Sequence, residues 1–311
     1  MRTRGSGLAT RGSKPDSEPS PDPHTRAPDP GPVGGRLFVV ATPIGNLGDL
    51  SPRACEILAS VRLLLAEDTR HVRKLLNHFA ITTPTRSLHE HNEAREVPRL
   101  LADLEGGAEF ALISDAGTPL VADPGFRLVR GCRERGIPVL AVPGPSAVTA
   151  ALAVSGLPPV PFTFAGFLPP KAAARAEALE SLAALPHTLV VFVSPHRLRP
   201  EIEACARFLG AEREAVLLAE LTKVHERASR GTLGELAASA VADEAKGEYT
   251  LVVGPPPPAE APSVTPEAAG RALEEALARG LDLAEARRQA ARALGISRKE
   301  LYNLLMPRSA R

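Results

Sequence analysis

The sequence predicts an α/β protein whose parallel strands alternate with covering helices, and three observations carry that expectation. Between Leu37 and Val154, short apolar runs alternate with amphipathic stretches, the pattern of strands joined by crossover helices. Two of those runs stop at strings of small, turn-forming residues, Ser114-Asp115-Ala116-Gly117-Thr118-Pro119 and Pro143-Gly144-Pro145-Ser146-Ala147. With 311 residues, 44% of them hydrophobic, the chain has enough apolar surface for a full core and enough length for two domains.

Taken in order, residues 1–34 are rich in Pro, Ser, Gly and Asp with scattered Arg, which predicts a disordered tail with no apolar core of the kind a signal peptide needs. Order begins with a strand at Leu37 to Ala41, followed by the loop Thr42 to Leu50, with Ser51 as cap and Pro52 as first residue of a helix to about Ser60. That loop lacks the G-x-G-x-x-G spacing, which argues against dinucleotide binding. A second strand, Val61 to Ala66, ends in Glu67-Asp68-Thr69-Arg70-His71. This charged constellation suits a reactant site, and it equally suits an exposed cap of the helix carrying Arg73, Lys74 and Leu76. His89 and His91 would share a face on a strand, but no further metal-ligand set lies at a recognisable spacing, so polar loop residues are the preferred reading.

A helix from about Glu93 to Leu104 ends at Gly106-Gly107 and delivers the chain to the strand Phe110 to Ile113. After Asp123-Pro124-Gly125 come a helix closing at Gly136, a strand from Ile137 to Val142 and a helix opening at Ser146. The two small-residue loops, after Ile113 and after Val142, are thus expected along one edge of a parallel sheet, where ligands bind in open α/β folds. Further strands are expected at Phe162 to Phe167, Thr188 to Val193, Glu214 to Ala219 and Tyr249 to Val253. Helices are expected from about Ala172 to Leu185, Glu201 to Leu209 and Leu233 to Ala242. Pro255 to Pro258 open a linker reaching residue 264.

Other classes are excluded or weakened. The formal net charge of +1 offers no global field for nucleic acid, so such a partner must be argued from a local patch or a motif. Cys55, Cys132 and Cys205 are far apart, without C-x-x-C spacing, which favours a reducing cytoplasm over disulfides or a zinc site. The uncharged stretch between Arg135 and Lys171 is too often broken by proline to span a membrane and is expected to be buried core.

The motifs TPIGNLGDLS (Thr42 to Ser51), AEDTRH (Ala66 to His71), HEHNE (His89 to Glu93), SDAGTPLVADPG (Ser114 to Gly125), VPGPSA (Val142 to Ala147), SPHR (Ser194 to Arg197), AELTK (Ala219 to Lys223) and GEYTLVV (Gly247 to Val253) occur in this order. Together they resemble the ribosomal RNA small subunit methyltransferase I family of the tetrapyrrole-methylase superfamily, over nearly all of Arg36 to Gly254. The resemblance implies two α/β domains, 35–156 and 157–255, with a cleft between them for S-adenosylmethionine. It implies methyl transfer to the ribose 2′-oxygen of cytidine 1402 in 16S ribosomal RNA of the small ribosomal subunit, by a homodimer in the cytoplasm. By motif position it implies cofactor contacts at Ile44, Ser114, Asp115, Gly117, Thr118, Leu120, Ser146, Ala147, Ser194 and Thr250, and no metal. Two departures stand out. Pro43-Ile44-Gly45-Asn46 replaces the superfamily's Gly-Pro-Gly-Asp, which argues against corrin or porphyrin substrates, and Val193 stands where the family often has an acidic residue.

Transfer from a sulfonium to a weakly acidic ribose hydroxyl needs alignment, exclusion of water and a proton acceptor or alkoxide stabiliser. Glu67, Asp68 and Arg70 are the first candidates, with His89 second. Beyond the linker, 265–311 reads as three helices opened by Thr265-Pro266, Asp282 and the capping box Ser297 to Glu300. Leu283, Ala286, Ala290 and Leu294 form an apolar face on the middle one. Arg287, Arg288, Arg292, Arg298 and Lys299 would lie outward in a helix-turn-helix-like unit, either against RNA phosphates or as the solvated face of an accessory bundle. A small-molecule methylase of the same superfamily and a non-catalytic RNA-binding protein are the competing readings.

Overall fold

The structure, a computed structural model, describes residues 34–239, 247–257 and 264–306. The tail expected over 1–33, most of the Pro-rich linker and the end of the helix expected to reach Ala242 lie outside the described residues.

The first sheet is built by β1 (Arg36–Val40), α1 (Pro52–Ser60), β2 (Leu63–Ala66), α2 (Thr69–His78), β3 (Thr85–Ser87), α3 (Glu90–Glu105), β4 (Glu109–Ile113), α4 (Phe126–Glu134), β5 (Val139–Val142) and α5 (Ala147–Ser155). Its order is β3-β2-β4-β1-β5, and each neighbouring pair is parallel. Such a sheet needs apolar side chains on both faces. Strand alternation supplies them: Phe38, Val40, Leu64, Ala111 and Ile113 pack toward α1 and α2, while Leu37, Leu63, Leu65, Phe110 and Leu112 pack toward α3 and α4. The expected caps form, with the Ser51 hydroxyl accepting from the Ala54 amide at 3.1 Å and the Asp68 carboxylate from the Arg70 amide at 2.8 Å.

The second sheet follows through β6 (Phe162–Phe167), α6 (Ala172–Ala183), β7 (Thr188–Val193), α7 (Leu198–Leu209), β8 (Glu214–Ala219), β9 (Arg227–Thr232), α8 (Leu233–Ser239) and β10 (Tyr249–Val253). Its order is β6-β7-β10-β8-β9, parallel only between β6 and β7. The central β10 is buried at each of its five positions. Strand β9, Arg-Ala-Ser-Arg-Gly-Thr, has no apolar periodicity and was not expected. It exists because β8 offers it a ladder, and its charged, exposed residues suit a sheet edge. Helix α5 joins the two halves: its Val148, Ala151 and Leu152 cluster with Val190 of β7 and Val252 of β10.

Three expectations need correction. Helix α3 starts at Glu90, so His89, as its N-cap, is the last residue of the loop after β3, whereas His91 lies in the first turn of the helix and not in a loop. The Asn92 side chain sets that start by accepting from the His89 amide at 2.9 Å. The uncharged segment before Lys171 is not all core: Val160, in the loop before β6, is 80% exposed, and Phe167, on edge strand β6, is 55% exposed. Leu283 likewise sits exposed at the start of its helix.

The last three helices, α9 (Pro266–Ala278), α10 (Leu283–Ala293) and α11 (Arg298–Leu305), share a small apolar cluster around Ala269, Ala290, Ala291 and Leu301. No helix of the described residues is long and apolar enough to cross a membrane.

Candidate active site

Three loops leave the carboxyl edge of the first sheet and are tied to one another. Thr42, after β1, exchanges backbone hydrogen bonds with Gly117, after β4, at 2.8 and 3.0 Å. The Ser114 hydroxyl donates to the Gly117 carbonyl at 3.0 Å, and the Thr118 hydroxyl donates to the Pro145 carbonyl of the loop after β5 at 3.1 Å. Gly117 holds φ at +81°, where an L side chain is strained, and a Cβ there would stand 3.3 Å from the Ile44 side chain. The Gly-Thr step is therefore shaped by the closeness of three loops.

The second sheet closes the opposite wall. Thr250 and Tyr249 at the start of β10, Phe192 and Val193 at the end of β7, and Phe167 at the end of β6 face the same space. The resulting cleft has a volume of about 360 Å³, in the range of small-ligand sites. Among the described residues its lining includes the carboxylate residues Glu67, Asp115, Asp123 and Glu248, and no Arg, Lys or His. Burial, with the charges of Glu67 and Asp115 adding to it, pushes Asp123 up to about 6. Burial also raises Glu67, again helped by Asp115, and the nearby His89 works against that rise. Glu248, at the rim, is paired with Lys223 at 3.1 Å, so Glu67, Asp115 and Asp123 make the cleft a partly desolvated negative site suited to a cationic ligand.

Of the residues singled out by sequence, Ile44, Asp115, Gly117, Thr118, Ser146, Ala147 and Thr250 line this cleft, and so does Glu67. Ser114 lies beneath it, buried, its hydroxyl spent on the loop. Leu120 turns away at φ +70° and packs with the α3 and α4 side of the core. Ser194 is not in the lining although Val193 and Pro195 are, and its amide donates to buried Glu201 at 3.3 Å. Asp68 and Arg70 bind each other through two side-chain hydrogen bonds of 3.1 and 2.8 Å, which hold Asp68 down at about 2. The Asp68 backbone reaches the site instead, its amide donating to Asp115 Oδ1 at 3.2 Å. His89 stands edge-on to His91, outside the lining, with Nδ1 buried and without a hydrogen-bond partner among the described residues. Arg287, Arg288, Arg292, Arg298 and Lys299 are all exposed on α10 and α11.

Sequence reasoning missed Asp123, Phe167, Phe192 and Tyr249. Asp123 was within sight, nine residues after Ser114, but positive φ values at Leu120 and Ala122 are what fold that loop back over the cleft. Nothing in a Leu or Ala announces such a backbone.

The comparisons with known proteins agree with this geometry. The family model for Tetrapyrrole (Corrin/Porphyrin) Methylases matches residues 36–237. The ribosomal RNA small subunit methyltransferase I of Synechocystis sp. is 45% identical over 270 residues, covering 87% of this chain and 97% of that protein. The protein of the same name from Xylella fastidiosa (strain Temecula1) is 47% identical over 270 residues, covering 86% and 98%. A solved uroporphyrin-III C-methyltransferase from Thermus thermophilus, complexed with S-adenyl homocysteine, shares the fold at a TM-score of 0.51 and 22% identity, over 71% of this chain and 97% of that one. This chain belongs to the ribosomal RNA small subunit methyltransferase I family, within the tetrapyrrole methylases.

Proposed function

We propose that the protein is an S-adenosylmethionine-dependent methyltransferase that modifies the ribose 2′-oxygen of cytidine 1402 in 16S ribosomal RNA. The observation that carries the reading is the cleft itself: loops from both sheets meet around one hollow whose lining, among the described residues, holds four carboxylate residues and no basic one. A methyl-sulfonium is cationic, so the chemistry of this donor set fits it, and the aromatic rings of Phe167, Phe192 and Tyr249 offer apolar surface for a nucleoside. Ile44, Asp115, Gly117, Thr118, Ser146, Ala147 and Thr250 would hold the cofactor, with Ser114, Leu120 and Ser194 shaping the loops behind them. When bound, the cofactor supplies an electrophilic methyl group.

The chain's own task is then alignment, exclusion of water and removal of one proton. Glu67 and Asp123 are the proton acceptors of this reading, because desolvation makes each a stronger base than an ordinary carboxylate. Asp68 and Arg70 act on the site from outside it, through the start of α2 and the amide held on Asp115. His89, whose charge is felt at Glu67, stands behind that base.

Exposed Arg287, Arg288, Arg292, Arg298 and Lys299 are the proposed RNA contacts of the C-terminal helices. The exposed apolar residues Val160 and Phe162, at and just before edge strand β6 and outside the cleft lining, support a homodimer, and a ribosomal substrate implies the cytoplasm. A labelled-methyl assay offering small ribosomal subunits, naked 16S RNA and a porphyrinogen tests the function. Label in RNA, at one cytidine ribose, is the expected result; label in the porphyrinogen alone overturns it.

A further inference from the structure

We infer that the outward face of α2 is a phosphate-docking surface that holds the RNA strand beside the cleft, an inference that rests on the function proposed above. Helix α2, Thr-Arg-His-Val-Arg-Lys-Leu-Leu-Asn-His, contains three Arg and Lys residues and no Asp or Glu. Its periodicity sorts them cleanly. Val72, Leu75 and Leu76 are buried against the first sheet, whereas Arg70, Arg73, Lys74 and Asn77 are exposed at i, i+3, i+4 and i+7, a single stripe. The stripe runs about 10 Å along the helix, long enough to meet more than one phosphate of a strand.

Two further observations separate this stripe from an ordinary solvated face. First, its basic groups are largely uncommitted. Arg70 is paired with Asp68, but neither Arg73 nor Lys74 takes part in an ion pair among the described residues. By contrast, residues 264–306 carry seven Arg and Lys against six Asp and Glu, and Arg288 there is bound to Glu285. Among the described helices the most one-sided basic one is therefore α2, and none of the C-terminal bundle matches it. Second, its position suits the substrate. Glu67, in the cleft lining, lies two residues before the helix begins, and the intervening Asp68 donates its amide to cleft residue Asp115. A strand whose ribose entered the carboxylate-lined cleft would carry its flanking phosphates out of that negative field. The first cations it met on this side would be those of α2. Phosphate contacts position a strand without reading its bases, which leaves the choice of nucleotide to the cleft.

The test measures binding of 16S RNA to the full chain at a series of salt concentrations, with S-adenosylhomocysteine present, for the wild type, R73Q/K74Q and R73E/K74E. Loss of two phosphate contacts is expected to lower the slope of log affinity against log salt by about 2 and to weaken binding on the order of tenfold at low salt. The charge-reversed variant is expected to bind more weakly still, while S-adenosylhomocysteine affinity and thermal midpoint stay at wild-type values. An unchanged salt slope in both folded variants overturns the inference, even if the wild type methylates RNA. A wild type that binds RNA with this α2-dependent slope but methylates only a porphyrinogen would instead overturn the proposed function.

Discussion

The Thr118 hydroxyl donates to the Pro145 carbonyl at 3.1 Å, joining loops that leave two strands separated in the sheet by β1. Because Gly117 is at the same time paired to Thr42, this one contact completes a frame of three loops around the cleft floor. Replacement by valine keeps the volume and removes the hydrogen bond. Thr118→Val is expected to weaken S-adenosylmethionine binding by roughly 1 kcal/mol, about fivefold, in calorimetric titration. Unchanged affinity would mean that the frame stands without this bond.

Asp123 links the cleft to pH. Its carboxyl lies near 6 in the folded protein against an ordinary value of 3.8, so between those two pH values the native state retains a proton that the unfolded chain has lost. This contribution to stability is complete below pH 4 and is lost as pH rises through 6. Asp123→Asn is expected to flatten that part of the stability profile and to raise stability at pH 8 by about 1 kcal/mol, the group being partly solvated. Activity should move the other way: wild-type turnover falls below pH 6 as the base becomes protonated, and the variant loses about a hundredfold at pH 8. Urea unfolding at pH 5 and 8, beside single-turnover rates, reads both.

A methyl group at Gly117 meets two obstacles, a left-handed backbone and the Ile44 side chain 3.3 Å away. Gly117→Ala is expected to lose about 1 kcal/mol of stability and to reduce cofactor affinity more than Thr118→Val does, because the strain falls inside the cleft. Thermal unfolding with and without S-adenosylhomocysteine separates the two effects. Equal shifts in both conditions would argue against a binding role.

Glu201 is fully buried and accepts from Arg197 Nε at 2.7 Å and from the Ser194 amide at 3.3 Å. It holds the turn that follows β7, beside Val193 and Pro195 in the cleft lining. Glu201→Gln preserves shape but removes the charge. A loss of about 2 kcal/mol is expected, less than for a fully enclosed pair because Arg197 can still reach water. Chemical denaturation measures it, and a loss below a few tenths would assign the turn's order to its packing alone.

Much of the architecture was legible in the chain because local physics wrote it. Ser51-Pro52, Asp282 and the Ser297 to Glu300 box open their helices where the sequence places them, since a cap acts within four residues of itself. The strands Thr188–Val193 and Tyr249–Val253 were also readable, being continuous apolar runs bounded by turn residues. Strand β9 was not, because its register comes from β8 and not from any pattern of its own. His89 escaped in a different way: its role as a helix N-cap depends on the Asn92 side chain folding back to its amide.

For the site, sequence alone determined the loops, their small residues and the motif order that marks the family. These are local or linear properties, so a linear reading reaches them. The tertiary structure decided which side chains from those loops share a hollow. It brought Asp123 and Phe167 into the cleft, turned Leu120 away from it, and set Asp68 and Arg70 against each other outside it. Such choices depend on backbone torsions and on long-range packing between two sheets, and no short-range signal in the chain carries that information.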